Sequence, residues 1–214
     1  LEFMGFHIFS GSQNLREDAI MEAQAKTFEL AYKLAEYAPA PLRWLNIGGG
    51  LGIPYFPGEQ RLDLAPIAAN LAPLLKTASK KLPGAEIVME LGRYLTAEAG
   101  IYVCEIVDRK VSRGEIFLIT NGGLHHHLAA SGNFGQVIRK NYPLCLGNRV
   151  NAPKLETVQV VGPLCTPLDL LGNRVELPPA GPGDLVVLFQ SGAYGFSASP
   201  RDFLSHPQPA QILL

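Results

Sequence analysis

The chain has 214 residues, which fits one large domain or two small ones. Hydrophobic residues make up 47% and charged residues 17%, a balance that supports a sizeable core and argues against disorder. Lys and Arg number 18 against 19 Asp and Glu, a net charge of −1 with no basic run, so nucleic acid and anionic membrane are not the expected partners.

Three cysteines (Cys104, Cys145, Cys165) without CxxC spacing speak against a disulfide framework or a zinc site, and a reducing, cytoplasmic compartment is the expectation. No run of about 18 apolar residues suggests a membrane span. The first residues, Leu1 to Phe6, lack the basic start and long apolar core of a signal peptide; the chain opens abruptly on a strand-like segment.

Phe3 to Phe9 reads as a strand ending in Ser10-Gly11-Ser12-Gln13, small residues that offer hydroxyl and N–H donors at its tip. Asn14 is the expected cap of the next helix, with Glu17 as its capping-box partner. Ile20, Ala23, Thr27, Leu30, Ala31 and Leu34 carry helical spacing, and Pro39 and Pro41 stop the helix by Ala38. Leu42–Ile47 reads as a second strand. Leu62–Leu82 reads as a second helix, with Pro66 in its first turn and Pro73 expected to kink or split it. Ala85–Met89 is a third strand, ending at Glu90-Leu91-Gly92-Arg93. Strand–helix–strand–helix–strand with long crossovers implies parallel pairing, with functional groups at the strands' C-terminal ends.

After about residue 100 the texture changes. Tyr102–Val107, Glu115–Thr120, Glu156–Val161 and Asp184–Phe189 read as strands between loops rich in Gly, Pro and Asn, so a mostly antiparallel β domain is expected. The segment 121–149 reads as mixed helix and loop. The predicted division is 1–100 and 101–214.

The second strand runs into Gly48-Gly49-Gly50-Leu51-Gly52. Backbone without Cβ atoms can turn sharply and close its N–H groups around an anion such as a phosphate; a ligand-free tight turn is the plainer alternative. Arg93 offers a fork for a phosphate and Glu90 an acceptor for a protonated ring nitrogen, with a rim ion pair as the alternative. Cys165 lies in Gly162-Pro163-Leu164-Cys165-Thr166-Pro167-Leu168-Asp169, where Gly-Pro and Thr-Pro bracket the thiol on a rigid turn beside Asp169; an inert cysteine is the alternative. Tyr194, in Gly192-Ala193-Tyr194-Gly195, offers a phenol among small neighbours, or is simply a packed strand-end tyrosine. Three adjacent imidazoles, His125-His126-His127, cannot all face one ion from a regular helix or strand, and no metal is expected. His7 reads as a hydrogen-bonded histidine rather than a catalyst, and no lysine sits at a strand tip.

Taken in order, His7-Ile8-Phe9-Ser10-Gly11-Ser12-Gln13, Gly48-Gly49-Gly50-Leu51-Gly52, Glu90-Leu91-Gly92-Arg93, Gly162-Pro163-Leu164-Cys165 and Gly192-Ala193-Tyr194 resemble the pyridoxal-phosphate-dependent ornithine/diaminopimelate decarboxylase family. The likeness spans essentially the whole chain and is nearest to the members associated with exopolysaccharide and exosortase loci. It implies the last part of a (β/α)8 barrel followed by a mostly antiparallel β-barrel or sandwich domain, and a head-to-tail homodimer with shared active sites. It implies that Ser12, Gly50, Arg93 and Tyr194 bind the phosphate of pyridoxal phosphate, with Gly48 and Gly49 shaping the loop, and that Glu90 pairs with the pyridine nitrogen. Cys165 would reach into the partner's site as proton donor. Asp169 would lie near the far end of a small amino-acid substrate or support the Cys165 turn. The implied reaction is decarboxylation of an amino acid like diaminopimelate, lysine or ornithine; a catalytically inactive relative with a binding role and an amino-acid racemase are the competing readings.

The departures are specific. The family's Schiff-base lysine lies on the first barrel strand, and only three barrel-type strands are present, so the chain is expected to be the C-terminal half of a longer enzyme. Phe9 stands where the family commonly has a ring-stacking histidine, and Thr166 stands where an acidic residue is typical.

Overall fold

Strands β1 (Gly5–His7), β2 (Trp44–Gly49) and β3 (Glu86–Glu90) lie side by side in that order, all parallel. Helix α1 (Glu17–Ala35) connects β1 to β2, and α2 (Leu64–Lys81) connects β2 to β3. The computed structural model describes residues 1–136 and 138–214, and the chain divides into two compact units, Leu1–Leu95 and Thr96–Leu214.

In the first unit, period-two alternation sorts the strand residues. Leu45 and Ile47 of β2 pack with Phe28 and Ala31 of α1 and Ala78 of α2; Phe6 of β1 and Ile87 and Met89 of β3 join them. Leu45 and Phe28 are fully buried, so cutting Leu45 back to Ala would cost about 2–5 kcal/mol. A second cluster of Ile20, Leu51, Leu62 and Ile67 seals the end of the sheet that carries the glycines. Residues of the opposite parity, His7, Asn46 and Glu90, therefore share the face turned from the helices.

Several local expectations are corrected. The first strand is only three residues long. The N-cap of α1 is Arg16, which makes no side-chain capping bond; the Asn14 side chain instead accepts the Arg16 N–H at 2.9 Å. Asn14 is occupied by a parallel bridge to Leu51, which holds the chain extended past the point where a cap would turn it. Glu17 turns away from a capping box and accepts the N–H of Asp63, itself the cap of α2. Helix α2 is not split at Pro73 and continues as one element to Lys81, because a packed amphipathic helix tolerates the loss of one internal hydrogen bond. Strand β2 extends to Gly49, so two of the three glycines belong to the sheet.

The second unit is a six-stranded mixed sheet built from β4 (Tyr102–Ser112), β5 (Glu115–Thr120), β6 (Leu144–Leu146), β7 (Glu156–Val161), β8 (Leu170–Leu177) and β9 (Leu185–Leu188), in the order β6-β9-β4-β5-β7-β8. Every pair is antiparallel except β5 with β7. Long β4 serves both halves: Tyr102 to Glu105 pair with β9, and Ile106 to Ser112 pair with β5. Arg113 and Gly114, both with positive φ (52° and 81°), make the tight β4–β5 turn. The edge strands curl toward each other, with Leu144 of β6 against Gly172 of β8. Strands β6 and β8 are additions to the sequence reading. The first is too short to signal. The second is disguised by a bulge opposite Val158–Val160 and by Arg174 at φ 51°, which break the alternation. The described residues of the 121–149 segment, read as part helix, form turns and loop apart from β6.

Candidate active site

Glu90 ends β3 on the helix-free face. Its Oε1 lies 2.8 Å from His7 Nε2 of β1, and Asn46 Nδ2 of the intervening β2 donates to its Oε2 at 3.4 Å. Three adjacent strands thus present a polar row. The sheet register makes it, because His7 pairs with Asn46 and Gly49 with Glu90. The Asn46 side chain also accepts the Gly48 N–H at 2.8 Å, joining the row to the glycine loop.

The glycines are required by backbone crowding. A Cβ on Gly49 would lie 1.6 Å from the Glu90 carbonyl oxygen, and one on Gly50 would lie 1.9 Å from that of Gly11 and 3.4 Å from Ser12 Cα. Gly48 and Gly50 also have φ of +73° and +79°. The loops after β1 and β2 are zipped: Asn14 N–H donates to Gly50 O at 2.9 Å, and Gly52 N–H to Asn14 O at 2.8 Å. The Gln13 side chain bonds both the N–H and the carbonyl of Ile53. Ser12 is thereby brought against Gly50. Behind the loops a cavity of about 40 Å³, bounded by Ser10, Gly49, Gln24 and Thr27, has room for water but not for a phosphate ester.

Arg93 lies in the short helix α3 (Gly92–Thr96), three residues beyond Glu90. Its Nη1 donates to Tyr55 Oη at 3.0 Å and its guanidinium sits 5.5 Å from the Tyr55 ring centroid, so the side chain is aimed rather than loose.

The second unit carries Cys165, Asp169 and Tyr194. Cys165 is exposed on its turn, whereas Cys104 is buried and its thiol is pushed up to about 12 by desolvation. Asp169 is 3% exposed, and its carboxylate oxygens accept the Leu124 N–H at 2.6 Å and the Leu164 N–H at 2.8 Å. Burial raises its pKa, and the two N–H donors work against that rise. The second bond ties Asp169 to the residue just before Cys165. Tyr194 is partly exposed and holds φ at +62°, a left-handed conformation that a tyrosine adopts only under constraint.

The three histidines are buried in a turn and do not converge on one point. The His125 ring lies against those of His126 and His206, with centroids 3.9 Å and 5.2 Å away and the ring planes tilted by 47° and 48°. His126 Nε2 lies 2.7 Å from the Pro207 carbonyl, so it carries the proton, and Nδ1 accepts from Tyr102 Oη at 3.0 Å. Burial lowers the pKa of His127 to about 4. Among the described residues no group of three or more His, Cys, Asp or Glu side chains is placed to hold a metal ion.

A family model described as the C-terminal sheet domain of pyridoxal-dependent decarboxylases matches residues 9–192. The chain belongs to this family. A glutamyl-[BtrI acyl-carrier protein] decarboxylase of Niallia circulans is 42% identical over 99% of the chain and 50% of the relative. The diaminopimelate decarboxylase of Thermoplasma acidophilum is 30% identical over 98% of the chain and 48% of the relative. Among solved structures, the diaminopimelate decarboxylase of Helicobacter pylori complexed with L-lysine superposes with a TM-score of 0.76 at 26% identity, covering 96% of this chain and 48% of that one. The chain spans about half the length of the curated relatives it matches.

The residues in hand fit the cofactor of this decarboxylase family. Backbone meets backbone at Gly49, Gly50 and Gly11, as a narrow phosphate loop requires, and the carboxylate of Glu90 stands on the strand beside it. No described helix is long and apolar enough to cross a membrane. The sequence reading missed Asn46, which ties Glu90 to the loop, and the buried turn around His125. Asn46 carried a signal as a polar residue in an apolar strand, two residues before the first glycine.

Proposed function

We propose that the protein containing this chain is a pyridoxal-phosphate-dependent amino-acid decarboxylase. The observation that carries the reading is the glycine cradle with Glu90 on the adjacent strand, in a chain of this family. The first unit is the end of a (β/α)8 barrel, and the chain works in a head-to-tail homodimer. Ser12, Gly50, Arg93 and Tyr194 bind the phosphate, with Gly48 and Gly49 keeping the loop thin. Glu90, steadied by His7 and Asn46, accepts a hydrogen bond from the pyridine nitrogen. When bound, pyridoxal phosphate supplies an electron sink for the pair left at the α-carbon as the Cα–carboxylate bond breaks and CO₂ departs. Cys165, from the partner subunit, delivers its Sγ proton to that carbon.

Thr166, which directly follows Cys165, bears on the substrate. A neutral hydroxyl there provides no countercharge for a distal ammonium group, whereas a distal carboxyl end carried as a thioester needs none. The Niallia circulans relative, named for a glutamyl group on a carrier protein, supports that second substrate class.

The test uses the full-length protein. Absorbance of the bound cofactor before and after borohydride, followed by mapping of the reduced lysine, establishes cofactor attachment. CO₂ release is then compared across free diaminopimelate, lysine and ornithine and a glutamyl carrier-protein thioester. Cofactor attachment with CO₂ release is expected, and Cys165→Ala should lower turnover by at least about tenfold while leaving cofactor affinity within about twofold. Absence of any lysine adduct would sink the enzyme reading and leave the binding-protein alternative.

A further inference from the structure

The turn 122–128 contains the three histidines and touches both functional segments of the second unit. On one side, Leu124 N–H donates to Asp169, and the other oxygen of the same carboxylate takes the Leu164 N–H, one residue before Cys165. The fit allows no side chain at the flanking glycines. A Cβ on Gly123 would lie 2.1 Å from Asp169 Oδ1, and one on Gly162 2.3 Å from Oδ2. The Cys165 turn also closes on itself, with Gly162 N–H to Asp169 O at 3.0 Å and Asp169 N–H to Thr166 O at 3.2 Å.

On the other side, His127 is 1% exposed and its Nδ1 accepts the Ala130 N–H at 3.2 Å. Its proton therefore sits on Nε2, which donates to Ser191 Oγ at 2.9 Å. The Ser191 hydroxyl in turn donates to Leu188 O at 3.0 Å. Leu128 N–H donates to Ser199 Oγ at 2.8 Å, and Ser199 bonds back to Gly195 O. The loop 191–199 that carries left-handed Tyr194 is thus gripped near both ends by consecutive residues of the turn.

We propose that this buried turn is a positioning element, with Asp169 setting the Cys165 turn and His127, through Ser191, setting the Tyr194 loop. The inference rests on the proposed roles of Cys165 as proton donor and Tyr194 as phosphate ligand. In the proposed dimer it means that one rigid turn places an acid for one active site and a phosphate ligand for the other. Asp169, His127 and Ser191 are positioning residues, since each acts through another group.

The experiment compares Asp169→Asn and Ser191→Ala in the full-length protein with three readouts: alkylation of Cys165 by iodoacetamide, mapped by mass spectrometry; pyridoxal phosphate affinity by absorbance titration; and kcat against KM. Asp169→Asn sets an amide donor against one of the two N–H groups. It should raise Cys165 alkylation at least about fivefold and lower kcat about tenfold, with KM and cofactor affinity within about twofold. Ser191→Ala should weaken cofactor affinity about tenfold and leave alkylation unchanged. Equal movement of all readouts in both variants, or no movement of the assigned one in either, overturns the proposal. Should Asp169→Asn fail to fold, amide exchange in the unmodified protein decides. Leu124 and Leu164 should be protected to the same extent, and a Leu164 amide that exchanges like a surface amide overturns the proposal. Alkylation and exchange need no turnover, so they separate a failure of this proposal from a failure of the decarboxylase reading.

Discussion

Replacing Gly50 by Ala tests the glycine cradle, and Gly58 supplies an internal control. Both residues hold left-handed φ, +79° and +90°, so both substitutions incur the same backbone penalty, about 1–2 kcal/mol. They differ in surroundings. Nothing lies within 4 Å of a Cβ on Gly58, whereas one on Gly50 would lie 1.9 Å from the carbonyl oxygen of Gly11. No rotamer relieves that contact, because both atoms are fixed to the backbone. The loops must part by more than 1 Å, which breaks or stretches the bond from Asn14 N–H to Gly50 O and strains that from Gly52 N–H to Asn14 O. Two such bonds at about 0.5–1.5 kcal/mol each add about 1–3 kcal/mol to the backbone penalty. Gly58→Ala should therefore cost about 1–2 kcal/mol with no change in cofactor affinity, and Gly50→Ala about 2–5 kcal/mol with at least a tenfold loss of affinity. Urea unfolding measures the first quantity and absorbance titration with pyridoxal phosphate the second. Equal costs for the two variants, with unchanged affinity, would refute the reasoning that close approach of the loops builds the proposed phosphate site.

Arg93→Lys keeps the charge but loses the planar fork, its stacking on Tyr55 and its bond to Tyr55 Oη, so cofactor affinity should fall about tenfold while the melting temperature stays nearly constant; unchanged affinity would remove Arg93 from the phosphate site. The pH dependence of stability has a defined sign at His127. Its folded pKa is lowered to about 4 from an ordinary value of 6.5, so its contribution is complete above pH 6.5 and is lost as pH falls toward 4, where the unfolded chain takes up a proton that the folded chain refuses. His127→Gln should flatten urea stability between pH 6.5 and 4 relative to the parent. Asp169, whose pKa burial raises, titrates in the opposite sense and is common to both proteins, so an unchanged slope would count against the burial argument.

Much of the site is legible in the sequence because backbone constraints are written in residue type. Three glycines at a strand end announce close approach, and Gly48 and Gly50 prove to have positive φ with the backbone of the loop after β1 against each. Alternation in β2 and β3 places Leu45, Ile47, Ile87 and Met89 in the core and sends Asn46 and Glu90 to the other face. Glu90 and His7, by contrast, are 83 residues apart, and only strand order and register bring their side chains to 2.8 Å. Asn14 looks like a helix cap by residue type, yet a bridge to Leu51 redirects it, because a long-range pairing outweighs a local preference. Strand β8 is hidden for the same reason: its bulge is stabilised by neighbours in the sheet, and local sequence shows only the broken alternation.

The histidine turn shows the division most clearly. Sequence determines that three imidazoles stand side by side and that Gly-Pro and Thr-Pro restrict the Cys165 turn. The tertiary structure decided what those residues hold. Asp169 reaches Leu124 across 45 residues and His127 reaches Ser191 across 64. A carboxylate or imidazole removed from water must find a partner wherever the packed chain brings one, and that place is set by the whole fold rather than by near neighbours in sequence.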